Sequence, residues 1–485
     1  MKVYYDQSPA GAGKTKRQVE EITSKLGKFL FFTERIASFA ELAARIGAEA
    51  ARNGMCPIID YVHSGERLGS VSRQIEELPT RHRNHDHVIV LATHSGMKRS
   101  DLSGFMGWEV IVDEVPQFLD FEQKCTGLDV LFFQQHYNLH PLIGSWSCIT
   151  ANRAGLALTA QQVRACQSHD HLVTFHERVL EASKEGSSRH ILCNLPDWTS
   201  MADDKVEWCW ASAFSLMELS AFDKVTLLGN RFRADIGSKI SEALTVEPIE
   251  WIELPKLTAM SNFMSRVVHI RYFSEERAAS SNLFKGKDGA EMLPEIGKII
   301  SQEIKDQEYI WTANDGVSRA ALEAGGMKEA NYLSPRQAGT NNYRNVSHAA
   351  VIFSAKASPM LESLLKFMGI DPSVWDDSVE CETILQFVTR TSVRVEGNMS
   401  PVQLWVFDRQ QAQYLKDYFD GLPYATATLE RMDSGPPVPA KATPGRKKVK
   451  RSPEEHAEYK RERRRKDAER KRRARALERE AKKAA

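Results

Sequence analysis

Lys14 and Thr15 end the run Ser8-Pro9-Ala10-Gly11-Ala12-Gly13-Lys14-Thr15, which stands between a β-rich stretch, Lys2 to Gln7, and helix formers from Lys16 to Leu26. The backbone N–H groups of Gly11, Ala12 and Gly13 can turn inward there as an anion nest, at the positive end of the following helix. Lys14 would reach β- and γ-phosphates, and the Thr15 hydroxyl would hold Mg²⁺. The spacing is that of a phosphate-binding loop, G-x-x-x-x-G-K-S/T, with Ser8 at the first glycine position. Serine is small and tolerates the turn. Farther along, Asp113 and Glu114 end an apolar run, Trp108 to Val112. The first carboxylate can complete the Mg²⁺ shell opposite Thr15, and the second can polarise an attacking water as general base. The chemistry implied is binding and hydrolysis of ATP with Mg²⁺.

Those residues must be carried to one edge. Phe29-Leu30-Phe31-Phe32-Thr33, Val88 to Ala92 and Val110-Ile111-Val112 are continuous apolar runs of the kind buried in parallel sheets. Helical stretches alternate with them, and ligands of such α/β sheets sit at the carboxyl ends of the strands. Lys14, Thr33, Thr93 and Asp113 would share that edge. Residues 120–220 scatter Trp, His and Cys without a strand pattern and read as a largely helical insertion. Val225 to Asn230 reads as a core strand closing the first lobe. A second α/β pattern follows, with strands at Val267–Ile270, Tyr309–Thr312, Ala349–Phe353 and Leu404–Phe407, and no second phosphate loop. The expected division is 1–245 for the first lobe, 246–435 for the second, and 436–485 for a proline-bearing linker and basic tail.

Composition bounds the setting. Seven cysteines without a C-x-x-C pair argue for a reducing, cytoplasmic compartment and against a disulfide framework. No apolar run approaches the ~18 residues of a membrane span. The net charge of +1 hides an asymmetry: residues 441–485 hold 20 Lys/Arg and 8 Asp/Glu, leaving the remainder acidic. A basic tail on an acidic body points to a polyanionic partner.

Two α/β lobes with a phosphate loop in the first alone resemble the superfamily 2 (DEAD-like) helicases and translocases over residues 1–435. Ser8 to Thr15 resembles motif I, Phe29 to Arg35 motif Ia, and Ala92 to Gly96 motif Ib. Val112-Asp113-Glu114-Val115-Pro116 is similar to motif II, although its Val and Pro depart from the DEAD and DExH forms. Tyr309 to Asn314 sits where motif IV does, and Gly339 to Arg344 looks like motif V. Gln386 to Arg394 resembles motif VI. Leu228-Gly229-Asn230 is favoured over Thr150-Ala151-Asn152 for motif III. The resemblance implies two RecA-like lobes and catalytic roles for Gln386, Arg390 and Arg394. Arg390 would be the arginine finger, with Arg394 at i+4 on the same helix face. It also implies strand contacts by Thr33, Arg35, Thr93, Ser95, Asn314 and Thr340.

The function expected is an ATP-driven helicase or translocase on nucleic acid, DNA before RNA. The alternatives are a DNA-packaging motor, which would need a nuclease domain, and a non-catalytic binding protein with a decayed motor fold. The compact chain, with its first strand at residue 2, further suggests a phage or mobile-element replication protein.

Overall fold

Phe29, Leu30, Phe31 and Phe32 are all fully buried, because the strand that holds them is covered on both faces. Leu30 and Phe32 enter one core with Val88, Val90, Val110 and Val112, whereas Phe29 and Phe31 enter the opposite core with Ile89, Leu91 and Ile111. This is the two-residue period of a strand read on both sides.

The computed structural model describes residues 1–64, 70–125, 130–167, 170–202, 207–245, 248–257, 263–314, 317–335, 342–432 and 438. Met1–Val438 is one compact unit. Its first sheet uses β1 (Lys2–Asp6), β2 (Gly27–Thr33), β3 (Ile58–Val62), β4 (His87–Thr93) and β5 (Trp108–Asp113). The chain then leaves this sheet and builds β6 (Leu119–Cys125), β7 (Tyr137–Pro141), β8 (Ser147–Ala151), β9 (His190–Cys193) and β10 (Glu207–Ala213). It returns with β11 (Lys224–Leu228) and β12 (Glu250–Glu253). The first sheet is parallel throughout, in the order β12-β1-β11-β5-β2-β4-β3. Strand β11 thus lies between the strand that feeds the phosphate loop and the strand that ends in Asp113.

A second parallel sheet holds β13 (Arg266–Ser274), β14 (Tyr309–Ala313), β15 (His348–Ile352), β16 (Val402–Asp408) and β17 (Ala425–Arg431), in the order β14-β15-β16-β13-β17. It too is buried on both faces, with Ile310, Val351 and Leu404 on one side and Trp311, Ile352 and Trp405 on the other. The molecule therefore has the two RecA-like lobes that the motifs imply.

The insertion carries the expected helices, including Asp170–Ala182, but its apparent lack of strands is corrected by a five-stranded antiparallel sheet, β6-β10-β9-β8-β7. In the interior strand β10 the strand signal was hidden because both faces are covered. In β10, Trp208 and Trp210 face one core while Cys209, Ala211 and Ala213 face another, so no polar alternation remains to be read. The second of these cores also takes in Ile236 and Ile240 from the helix Ile236–Leu244, and Leu361, Leu364 and Leu365 from the helix Pro359–Phe367 of the second lobe. Trp146 stacks on Phe367 with 5.8 Å between ring centroids. The insertion is therefore packed against both lobes.

Candidate active site

The phosphate loop has the backbone that its glycines permit. Gly11 and Gly13 lie at φ 82° and 93°, in the left-handed region that side chains disfavour, and Gly13 caps the helix Lys14–Thr23. Ser8 is fully buried. Its N–H donates to Asp6 Oδ1 at 2.9 Å, and its hydroxyl accepts from the Leu257 N–H at 3.1 Å. Serine at the first loop position is thus fixed by its own hydrogen bonds. Lys14 Nζ donates to the carbonyls of Ser8 at 2.6 Å and Pro9 at 3.2 Å, folding back over the loop. Burial holds its ammonium below the ordinary value, against the attraction of Asp113, Asp6, Glu382 and Glu114.

The parallel register brings the second half of the site alongside. Asp113 at the end of β5 pairs with Leu228 on β11, which pairs in turn with Asp6 on β1. Thr15 Oγ1 donates to Asp113 Oδ2 at 2.9 Å. Burial, then the neighbouring Glu114, pushes the Asp113 carboxyl up to about 7, while Thr15 and Lys14 oppose the rise. His94 Nε2 donates to the Asp113 carbonyl at 2.9 Å, and burial draws this imidazole down to about 4, so it serves as a neutral donor. Glu114 is exposed and adopts φ 55°, a left-handed conformation uncommon for a non-glycine residue.

The second lobe closes over this loop. Ala12 is packed into the hydrophobic cluster of the second sheet. The Ala10 N–H donates to the Tyr418 hydroxyl at 3.1 Å. A side chain on Gly11 would lie 3.6 Å from Cβ of Arg394, so the arginine crosses directly above the loop. Arg390 is buried, with Nη1 lacking a hydrogen-bond partner among the described residues. Burial lowers its guanidinium to about 10; Glu114 supports the charge, and Arg394 and Arg35 oppose it. Arg394 is likewise lowered by burial and then by Arg344.

The two arginines do not share a helix face, which corrects the expected i+4 pairing. The helix ends at Val388, and Arg394 lies in a separate 3-10 turn, Ser392–Arg394. The β-branched run Val388-Thr389 and Thr391 disfavours helix continuation. Thr391 also intervenes, donating its hydroxyl to the Val388 carbonyl at 2.7 Å and capping the turn that follows. Gln386 is exposed on the helix, and none of the interactions described here brings it to the loop.

The expected polymer contacts differ in what they have left to offer. Thr33 and Thr93 end neighbouring strands in register. The Thr93 oxygen caps the next helix by accepting from the Gly96 N–H at 3.3 Å, whereas Ser95 is exposed. Arg35 lies within electrostatic reach of Arg390. Both ends of the Asn314 amide are committed to the Ser354 backbone, donating at 2.7 Å and accepting at 2.8 Å. Thr340 and the basic tail lie outside the described residues.

Sequence reasoning missed Tyr418, Arg344 and Glu382 at the site. Tyr418 and Glu382 lie in ordinary helical sequence and had no local signal. Arg344 closes the segment resembling motif V, and that position could have singled it out.

An oxygen-only pair, Thr15 and Asp113, suits Mg²⁺, which is held by one or two protein oxygens together with substrate phosphates. Among the described residues no group of three or more His, Cys, Asp or Glu could hold a metal without such a substrate. No described helix is long and apolar enough to cross a membrane.

No family model and no curated protein sequence matches the chain. Similarity to solved structures extends over most of it. An XPD helicase is similar at 9% identity, over 89% of this chain and 96% of that one, with TM-score 0.49. The S. tokodaii Xpd4 structure is similar at 10% identity, over 88% and 96%, with TM-score 0.42. The DUF1998 helicase MrfA, bound to DNA and AMPPNP, is similar at 10% identity, over 88% of this chain and 50% of that one, with TM-score 0.30. At such identities and TM-scores these likenesses carry no argument about activity. Nothing in the fold or in these likenesses supports a phage or mobile-element origin.

Proposed function

We propose that the chain is an ATP hydrolase of the helicase or translocase kind, coupling hydrolysis between its two lobes to movement along a nucleic-acid strand, DNA before RNA. The observation that carries the reading is the buried Arg390 Nη1, without a hydrogen-bond partner among the described residues and held beside Arg394 as the latter crosses the phosphate loop. A guanidinium kept in that condition at a lobe boundary is ready for an incoming anion. The loop N–H groups of Gly11, Ala12 and Gly13 would bind the phosphates, and Lys14 would exchange the Ser8 and Pro9 carbonyls for them. Thr15 and Asp113 would hold Mg²⁺, which neutralises charge on the β- and γ-oxygens when bound. Glu114 would take the proton of the attacking water, and Arg390, with Arg394, would meet charge developing on the γ-phosphate.

Hydrolysis removes the group that those arginines hold and so changes how firmly the lobes engage. Thr33, Arg35, Thr93, Ser95 and Thr340 would track the strand backbone without reading its sequence. Asn314 is left to clasp its two strand ends, and Gln386 would join only if the helix end moves. The tail would add non-specific affinity. ATP turnover measured without polymer, and with single-stranded DNA, duplex DNA and RNA, tests the assignment. Stimulation by a nucleic acid, greatest with DNA, is expected; turnover indifferent to all three polymers would refute the motor reading.

A further inference from the structure

Two consecutive residues just beyond β11 hold two residues of the second lobe. Asn230 Nδ2 donates to both carboxylate oxygens of Glu382, at 3.2 and 3.1 Å. The Arg231 guanidinium lies 5.0 Å from the ring centroid of Tyr414, and the Tyr414 hydroxyl donates to Glu382 at 3.2 Å. Close by, the Ile236 N–H donates to the Ser378 hydroxyl at 2.8 Å. Arg231 takes φ 50°, so the backbone bends sharply to present these groups.

Each end of this tie leads into the site. On the first lobe, the Gly229 N–H donates to the Asp6 carbonyl at 3.1 Å, joining the bend to the strand that enters the phosphate loop. On the second, Glu382 begins the helix Glu382–Val388, and the chain turns from its end into Arg390 and Arg394. Glu382 is also within reach of the loop cation itself: burial, then Asp235, raises its carboxyl to about 7, while Asn230, Tyr414 and Lys14 draw it down.

We propose that Glu382 is a positioning residue, which fastens the segment carrying Arg390 and Arg394 to the strand end beside the phosphate loop. The tie itself stands on geometry; its consequence for catalysis rests on the nucleotide reading above. Removing the carboxylate leaves Asn230 and Tyr414 without their shared acceptor and lets the arginine segment move against the loop. A glutamine loses the charge and one acceptor oxygen but keeps the other as a shared acceptor for Asn230 and Tyr414.

The test uses the full chain with Cys56, Cys125, Cys148 and Cys166 changed to serine, and nitroxide labels on exposed Ala51→Cys in the first lobe and Glu308→Cys in the second. Inter-label distances are recorded by pulsed electron resonance without ligand and with Mg²⁺ and a non-hydrolysed ATP analogue. Without ligand, Glu382→Ala should widen the distance distribution at least twofold. Asn230→Ala should do the same, the double variant should add nothing, and Glu382→Gln should restore the original width. Circular dichroism checks folding; should Glu382→Ala fail to fold, Asn230→Ala and Glu382→Gln carry the test. An unchanged width in the alanine variants, or widths that add in the double variant, would overturn the proposal. The analogue arm is separate: if it leaves the unsubstituted protein unchanged while Glu382→Ala still widens the ligand-free distribution, the nucleotide reading fails and the tie stands.

Discussion

Burial of Asp113 beside Glu114 makes the site electrostatically uncomfortable, and Asp113→Asn should relieve it. In the folded protein the Asp113 carboxyl lies at about 7, above its ordinary 3.8, because it is buried beside Glu114. A raised folded value means stability that is fully present below pH 3.8 and is lost as pH rises toward 7. The gap corresponds to at most about 4 kcal/mol. Asp113 retains some contact with solvent, which reduces the expected cost to about 1–2 kcal/mol. Asparagine keeps an acceptor for the Thr15 hydroxyl and removes the charge. Its advantage over the unsubstituted protein should therefore grow between pH 5 and pH 7 and level off near pH 8. At about 2.1 cal/mol/K of unfolding entropy per residue, a chain of this length moves its melting temperature by about 1 °C per kcal/mol, so a rise of about 1–2 °C is expected at pH 8. Thermal melts at pH 5, 6, 7 and 8 would measure it. Mg²⁺ with ATP should stabilise the unsubstituted protein more than Asp113→Asn, since the loop and Lys14 still bind the phosphates in the variant but the cation has lost its Asp113 ligand. A variant less stable at pH 8, or an advantage independent of pH, would refute the reasoning.

Lys14→Ala should abolish ATP turnover and leave the circular dichroism spectrum intact, since Lys14 bonds to loop carbonyls and contributes little to a core. Glu114→Gln should bind ATP, because Asp113 still holds the cation, yet hydrolyse it very slowly; rapid-quench and equilibrium binding experiments separate the two. Truncation after Ala440 removes a net excess of 12 basic residues. It should weaken nucleic-acid binding at moderate salt and flatten the salt dependence, with maximal turnover at saturating polymer little changed. Titrations at two salt concentrations would show it.

Much of this site could be read locally. The phosphate loop and the Asp113-Glu114 pair are short, contiguous patterns whose residue types follow from their chemistry. The parallel strands were legible because burial on both faces leaves unbroken apolar runs. The insertion's sheet was not legible because its strands are short and their apolar runs are interrupted by Cys, Ser and charged residues. Interactions between distant segments left no local trace: Glu382 meets Asn230 across 152 residues of chain, and the bond that occupies the Asn314 amide joins two strand ends. The i+4 reading of Arg390 and Arg394 failed because it assumed a helix through threonines that favour ending one.

The central claim is that the second lobe supplies charge to chemistry performed on the first. Single-turnover hydrolysis by Arg390→Ala, alongside its affinity for a non-hydrolysed ATP analogue, tests it most directly. A group acting mainly in the transition state should lower the rate on the order of a thousandfold when removed, with affinity changed only a few-fold. Hydrolysis at the unsubstituted rate would contradict the account, leaving Arg390 a buried cation without a part in the reaction.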